Sequence, residues 1–97
     1  MRVISRKKLK DFAARFPDAK LQLDAWYHEA RNAKWKTPAA IKDKYRSASI
    51  LKSGRVVFNL CGNKYRMIVK ISFVNGKVLI RFVGTHAEYD DVNAEEV

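Results

Sequence analysis

The sequence is poor in the features that mark several large classes of protein. A single cysteine, Cys61, rules out a disulfide within the chain and fits a reducing compartment. No apolar run approaches the roughly 18 residues that a membrane span needs. The opening Met1-Arg2-Val3-Ile4-Ser5 is too short and too quickly charged for an export signal, so the expectation is a cytoplasmic protein without a membrane partner. There are no repeats and no low-complexity tracts. His28, Cys61 and His86 have no metal-ligand spacing, so neither a metal nor a cofactor is expected. No phosphate-cradling glycine loop and no serine-hydrolase elbow is present. Acid is scarce too: between Arg31 and Arg81 the only acidic residue is Asp43, against thirteen Lys or Arg.

The charge that remains is strongly positive and unevenly placed. Ninety-seven residues, expected to form one domain over 1–97, carry a formal net charge of +10. The last ten residues hold Glu88, Asp90, Asp91, Glu95 and Glu96 and no base. A field of this sign draws polyanions with salt-sensitive affinity, which points to nucleic acid or a ribonucleoprotein. The bases do not form one face of an amphipathic helix, which argues against a membrane surface. The acidic tail is expected to fold over the basic face or to be displaced by a partner.

Apolar periodicity gives the elements. Val3-Ile4 reads as a short first strand. Ser5 reads as the N-cap of a helix over about 6–16, with Leu9, Phe12, Ala13 and Phe16 on one stripe. Pro17 stops it, and Asp18 reads as the cap of a second helix to about Lys34, striped by Leu23, Trp26, Tyr27, Ala30 and Ala33. Thr37-Pro38 reads as a cap with proline at the first helical position, opening a short helix to about Asp43. Residues 45–54 read as a polar loop. Strands are expected over 55–60, 64–74 and 77–85. The fold class is therefore α+β: a small antiparallel sheet with an N-terminal helical hairpin on one face and a basic open face.

Asn75-Gly76 signals a two-residue hairpin turn, which fixes a register. Lys70 then faces Arg81 and Arg66 faces Thr85. Phe73–Val78, Ile71–Ile80 and Val69–Phe82 pair on the apolar face. Cations directly opposite each other destabilise a sheet, so such a face implies an anion or a partner.

Cleavage of RNA needs neither a metal nor a nucleophile from the protein, because the ribose 2′-OH can attack the adjacent phosphate. The protein must take one proton, give another and stabilise the added charge. Guanidiniums match phosphate oxygens in pairs and stay charged, which makes Arg66 and Arg81 the candidates for that role. His86 and Tyr89 can move protons. Strict alternation puts His86 on the apolar face opposite Tyr65, unless Gly84 breaks it. Each of these residues also has a plain structural reading: a solvated sheet face, a hydrogen-bonding histidine, a rim tyrosine. His28 is expected on an exposed helix flank, Trp26 in the core, and Trp35 packed at a helix exit.

Four segments carry a family resemblance. They are Trp35-Lys36-Thr37-Pro38, Val57-Phe58-Asn59-Leu60, Gly62-Asn63-Lys64-Tyr65-Arg66, and Phe82-Val83-Gly84-Thr85-His86-Ala87-Glu88-Tyr89-Asp90. With Gly-Asn-x-x-Arg and Thr-His-x-x-Tyr-Asp in that order, the chain resembles the HigB toxins, part of the RelE-like group of toxin–antitoxin systems, from about Val3 to Asp90. The resemblance implies a RelE-like α+β fold and an endoribonuclease that cleaves mRNA, usually in the ribosome. It implies a HigA-like helix-turn-helix antitoxin as partner, with operator DNA bound only through that antitoxin. By position it implies Arg66, Arg81, His86 and Tyr89 as catalytic. Asn63 and Lys64 would support them, and Lys52, Arg55 and Lys70 would steer RNA. The alternative is a non-catalytic RNA- or ribosome-binding module on the same basic sheet, which needs neither His86 nor Tyr89.

Overall fold

A computed structural model describes all 97 residues. In chain order the elements are β1 (Arg2–Ile4), α1 (Lys7–Arg15), α2 (Lys20–Asn32), α3 (Pro38–Lys44), β2 (Ser49–Ile50), β3 (Arg55–Leu60), β4 (Tyr65–Ser72), β5 (Lys77–Thr85) and α4 (His86–Asp90). Short 3₁₀ turns lie at Pro17–Ala19 and Lys52–Gly54. The strands form one sheet in the order β1-β5-β4-β3-β2. Four are antiparallel to their neighbours, and β1 joins β5 in parallel at the edge. The fold is α+β, with α1 and α2 against one face of the sheet.

The helical stripes do what their spacing predicts. Leu9 and Phe12 of α1 and Leu23, Trp26 and Ala30 of α2 are buried. They meet the alternate residues Val56, Phe58 and Leu60 of β3, Tyr65, Met67, Val69 and Ile71 of β4, and Val78 and Ile80 of β5. Trp26 meets Phe58 edge-on at 5.5 Å, and Phe12 meets Tyr65 edge-on at 5.1 Å, the arrangement that ring quadrupoles favour. Thr37 caps α3 as its sequence predicts, with Oγ1 accepting from the Ala40 N–H. Trp35 is buried against Tyr45, and His28 is exposed.

Two expected caps are absent. Ser5 sits at φ 73 and caps nothing with its side chain; its carbonyl accepts from the Lys8 N–H instead. Asp18 does not cap α2. Its carboxylate crosses to the sheet, accepting from Lys64 Nζ at 2.5 Å and Tyr65 Oη at 2.7 Å. The lysine bond first and the tyrosine bond second hold the Asp18 carboxyl below its ordinary value. Gln22 Oε1 accepts from the Cys61 N–H at 2.7 Å, so the start of α2 grips the β3–β4 turn at two points.

The β4–β5 register also differs from expectation. A type I′ turn needs φ above zero at both Asn75 and Gly76, and only Gly76 has it, at 65. Residues 73–76 form the connection instead, and Ser72 pairs with Lys77. The Gly76 carbonyl is used by β1, accepting from the Arg2 N–H at 2.7 Å. Further along, the pairing moves from Val69–Ile80 to Ile68–Phe82, leaving Arg81 as the extra residue of a bulge. Such a slip exchanges the two faces. Phe82 and Gly84 therefore join Ile68 and Arg66 on the face away from α1 and α2. Val83, expected on that face, packs toward the core beside Met67.

The glycines give a stability test. Gly54 has φ 75, and a Cβ there would lie 2.5 Å from the Ile71 carbonyl oxygen, a backbone atom that cannot turn aside. Gly62 has a similar φ of 70 with nothing within 4 Å. Gly62→Ala is expected to cost about 1 kcal/mol through its backbone angle, and Gly54→Ala about 2 kcal/mol more through the clash. Urea unfolding of the two variants checks the ranking, and equal losses would contradict it.

Candidate active site

The second face of the sheet has three rows. Arg55 pairs with Lys70, and Lys70 with Leu79; Val57 pairs with Ile68, and Ile68 with Phe82; Asn59 pairs with Arg66, and Arg66 with Gly84. The expected facing of Lys70 and Arg81 does not occur, nor does that of Arg66 and Thr85. A like-charge pair does exist, but it is Arg55 opposite Lys70.

At the end of β5 the chain turns back over the Arg66 row. Thr85 Oγ1 accepts from the Glu88 N–H at 3.1 Å, and Glu88 Oε1 accepts from the Thr85 N–H at 2.9 Å. This reciprocal capping box starts α4 directly from the strand. Gly84 makes the turn fit. A Cβ there would meet the Phe82 ring at 2.5 Å and Glu88 Cβ at 3.2 Å. The His86 N–H donates to the Lys64 carbonyl at 3.1 Å and ties α4 to the start of β4. Alternation along the sequence places His86 at a strand end and Tyr89 beyond it; in the fold both lie on α4. The Thr-x-x-Glu spacing is the signal for that helix.

Residues three apart on a helix share a face, so His86 and Tyr89 are neighbours. The Arg66 guanidinium carbon lies 5.1 Å from the centre of the Tyr89 ring, a cation–π contact. Arg66 has no carboxylate partner, and its buried Nε has no hydrogen-bond acceptor. His86 Nδ1 lies 3.2 Å from Asp90 Oδ2, one helical turn on. Asp90 is thus a candidate that sequence reasoning missed, although its i, i+4 spacing from His86 is visible in the chain. A carboxylate on one imidazole nitrogen fixes the tautomer and leaves the other free for proton transfer. The arrangement offers a fixed positive charge with donors to spare, a phenol beside it, and an oriented imidazole.

The other expected site residues divide. Lys70 is exposed beside Arg55, and Lys52 is exposed on the turn before β3. Arg55 donates through Nε and Nη2 to the Val97 carbonyl oxygen, each at 3.2 Å. The chain end therefore does reach the basic face, through its backbone. The Asp91, Glu95 and Glu96 side chains form no ion pair. Asn63 lies in the exposed β3–β4 turn, while Lys64 is bound to Asp18. Arg81 does not share the Arg66 row; it lines a pocket with α1.

A mixed five-stranded sheet with helices on one face and a short C-terminal helix is compatible with a small RelE-like fold. A sequence model of the HigB toxins, described as the RelE-like toxic component of a toxin–antitoxin system, matches residues 19–92. The chain is 35% identical over 92 residues to the mRNA interferase toxin HigB of Escherichia coli K12, covering 93% of this chain and 88% of that one. The mRNA interferase HigB of Shigella flexneri shows the same identity and coverage. The mRNA interferase HigB of Escherichia coli O6:H1 is 27% identical over 92 residues, covering 93% and 89%. This chain belongs to the HigB toxin family, and as the toxic component of such a system it has an antitoxin partner.

The capping box gives the site a pH dependence. The Thr85 amide, and after it the Arg15 guanidinium, hold the Glu88 carboxyl below its ordinary value. A depressed folded value means that the box contributes fully above the unfolded carboxyl pKa of about 4.3. The contribution is lost as pH falls through the lower folded value. The Thr85 amide and Tyr89 ring resonances should therefore shift together on acidification below that range. In Glu88→Gln, which keeps an acceptor, the step should vanish. A step of unchanged size in the glutamine variant would contradict the assignment.

Proposed function

We propose that this protein is a metal-independent endoribonuclease that cleaves mRNA on the translating ribosome and so arrests translation and growth. The whole chain acts as one domain in the cytoplasm. Its antitoxin is a HigA-like helix-turn-helix protein, through which alone the complex meets operator DNA. The observation that carries the reading is the Arg66 guanidinium, charged, without a carboxylate and set against Tyr89. Its Nε is buried without an acceptor while the residue as a whole is only half-buried, so an approaching anion can reach it and take up the unused donors. The names of the relatives, mRNA interferases, supply the substrate class.

In this mechanism the ribose 2′-OH attacks the neighbouring phosphorus, and the P–O5′ bond breaks. Arg66 binds the non-bridging oxygens and stabilises the charge that builds on them. His86, oriented by Asp90, and Tyr89 divide the two proton transfers, one from the 2′-OH and one to the leaving 5′-oxygen. Lys52, Arg55 and Lys70 attract the backbone, and Asn63 sits at the margin. The ribosome presents the strand, which suits a site with few acid–base groups of its own.

Induced expression in a bacterium, with mapping of new mRNA 5′ ends, tests this reading. Wild type should arrest growth and produce new ends inside translated regions. Arg66→Ala and Tyr89→Phe, both folded, should abolish arrest. Full toxicity in both variants would remove the site assignment. Arrest with intact mRNA would favour a non-catalytic module that binds the ribosome.

A further inference from the structure

We infer that the pocket between α1 and the outer edge of β5 is a phosphate subsite for the same RNA strand, with Arg81 and Lys8 as its ligands. This rests on the ribonuclease reading and extends it. β1 pairs only with Lys77–Leu79, so from Ile80 onward the edge of β5 has no strand beside it. The bulge puts Arg81 at that edge. There Arg81 lines a pocket of about 250 Å³ with Lys8, Asp11 and Arg15 of α1 and with Phe82. Lys8 and Arg81 have no ion-pair partner. Asp11 is bound to Lys7 at 2.8 Å, and Arg15 reaches Glu88 at 3.4 Å. The pocket therefore keeps two unneutralised cations.

Phe82 links the pocket to the Arg66 row. Phe82 lines the pocket, its ring lies across Gly84, whose missing Cβ leaves room for that ring, and Gly84 is the strand partner of Arg66. Arg81 lies three residues from Gly84 along β5, about 10 Å at the rise of a strand. A single strand with its reacting phosphate on Arg66 can continue over Phe82 and place a further phosphate between Lys8 and Arg81. Cations beside an aromatic ring suit single-stranded nucleic acid, where phosphates take the charge and a base takes the ring. An acidic peptide would use the charges and leave the ring idle, so RNA is the better fit. Arg81 is then a binding residue and not a stabiliser of the transition state.

The test uses the full chain and a fluorescent single-stranded RNA with 2′-O-methyl riboses, which cannot be cut. Its affinity is measured by anisotropy across a salt series, beside mRNA cleavage on ribosomes. The double variant Lys8→Gln/Arg81→Gln should bind about tenfold more weakly. Its slope of log K against log salt should flatten by about 0.7 for each phosphate that the variant no longer neutralises. Arg81→Lys should keep most of the affinity, and thermal unfolding should match wild type in both. Unchanged affinity and slope in the double variant would overturn the subsite, even with wild-type cleavage intact. Loss of binding to a hexaglutamate peptide with RNA binding kept would also overturn it, in favour of a peptide site. A wild-type protein that neither binds nor cuts RNA would remove the ribonuclease reading together with the subsite.

Discussion

The reversal of the chain at Gly84–Glu88 is the constraint on which the candidate site depends. A strand that ended elsewhere would leave His86, Tyr89 and Asp90 on a loose tail. Here the strand runs into a five-residue helix, too short to hold itself by its own hydrogen bonds. The reciprocal bonds of Thr85 and Glu88 satisfy two amides that a helix start otherwise leaves open. Gly84 lets Phe82 and Glu88 close over the backbone, and the His86 amide is anchored on β4. The Thr-His-x-x-Tyr-Asp motif thus joins two functions at interleaved positions: Thr85 and Glu88 build the helix, while His86, Tyr89 and Asp90 furnish it.

Electrostatics separates cations that serve the fold from cations left available. Lys64 is bound by Asp18, Lys20 by Asp24 and Lys44 by Glu29. Arg55 rests on the Val97 carbonyl. Arg66, Lys70 and Arg81 have no such partner, and they lie on or beside the face over which α4 returns. Leaving the Arg66 Nε–H buried without an acceptor costs about 1–3 kcal/mol. A buried donor without a partner calls for an explanation, and an anion bound at this site would supply one.

Local periodicity made α1, α2 and α3 legible, but not α4. The stripe from Leu9 to Phe16 and the stripe from Leu23 to Ala33 depend only on neighbours along the chain, and so does the Thr37 cap. The limits of β3 and β5 were legible for the same reason, whereas β4 stops at Ser72 and β2 lies in the stretch read as a loop. Register was not. It depends on Asn75 declining the left-handed conformation, on β1 taking the Gly76 carbonyl, and on a bulge at Arg81 that no local pattern announces. That single extra residue exchanged Phe82 with Val83 and moved Arg81 away from Arg66. Asp18 misled for a related reason: its capping position was clear locally, but Lys64 and Tyr65, distant in sequence, claimed its carboxylate. Arg66, His86 and Tyr89 were legible through motif and resemblance, whereas the contact of Arg66 with Tyr89 needed three dimensions.

The chemistry of the cut ends tests the central claim most directly. Purified protein is added to ribosomes translating a defined mRNA, and the termini of the fragments are identified. Attack by the 2′-OH under Arg66, His86 and Tyr89 predicts a 2′,3′-cyclic phosphate or its 3′-phosphate product, a 5′-hydroxyl, and no cut where the attacking ribose is 2′-deoxy. A 3′-hydroxyl with a 5′-phosphate, or cleavage that persists at the deoxy position, would contradict the account.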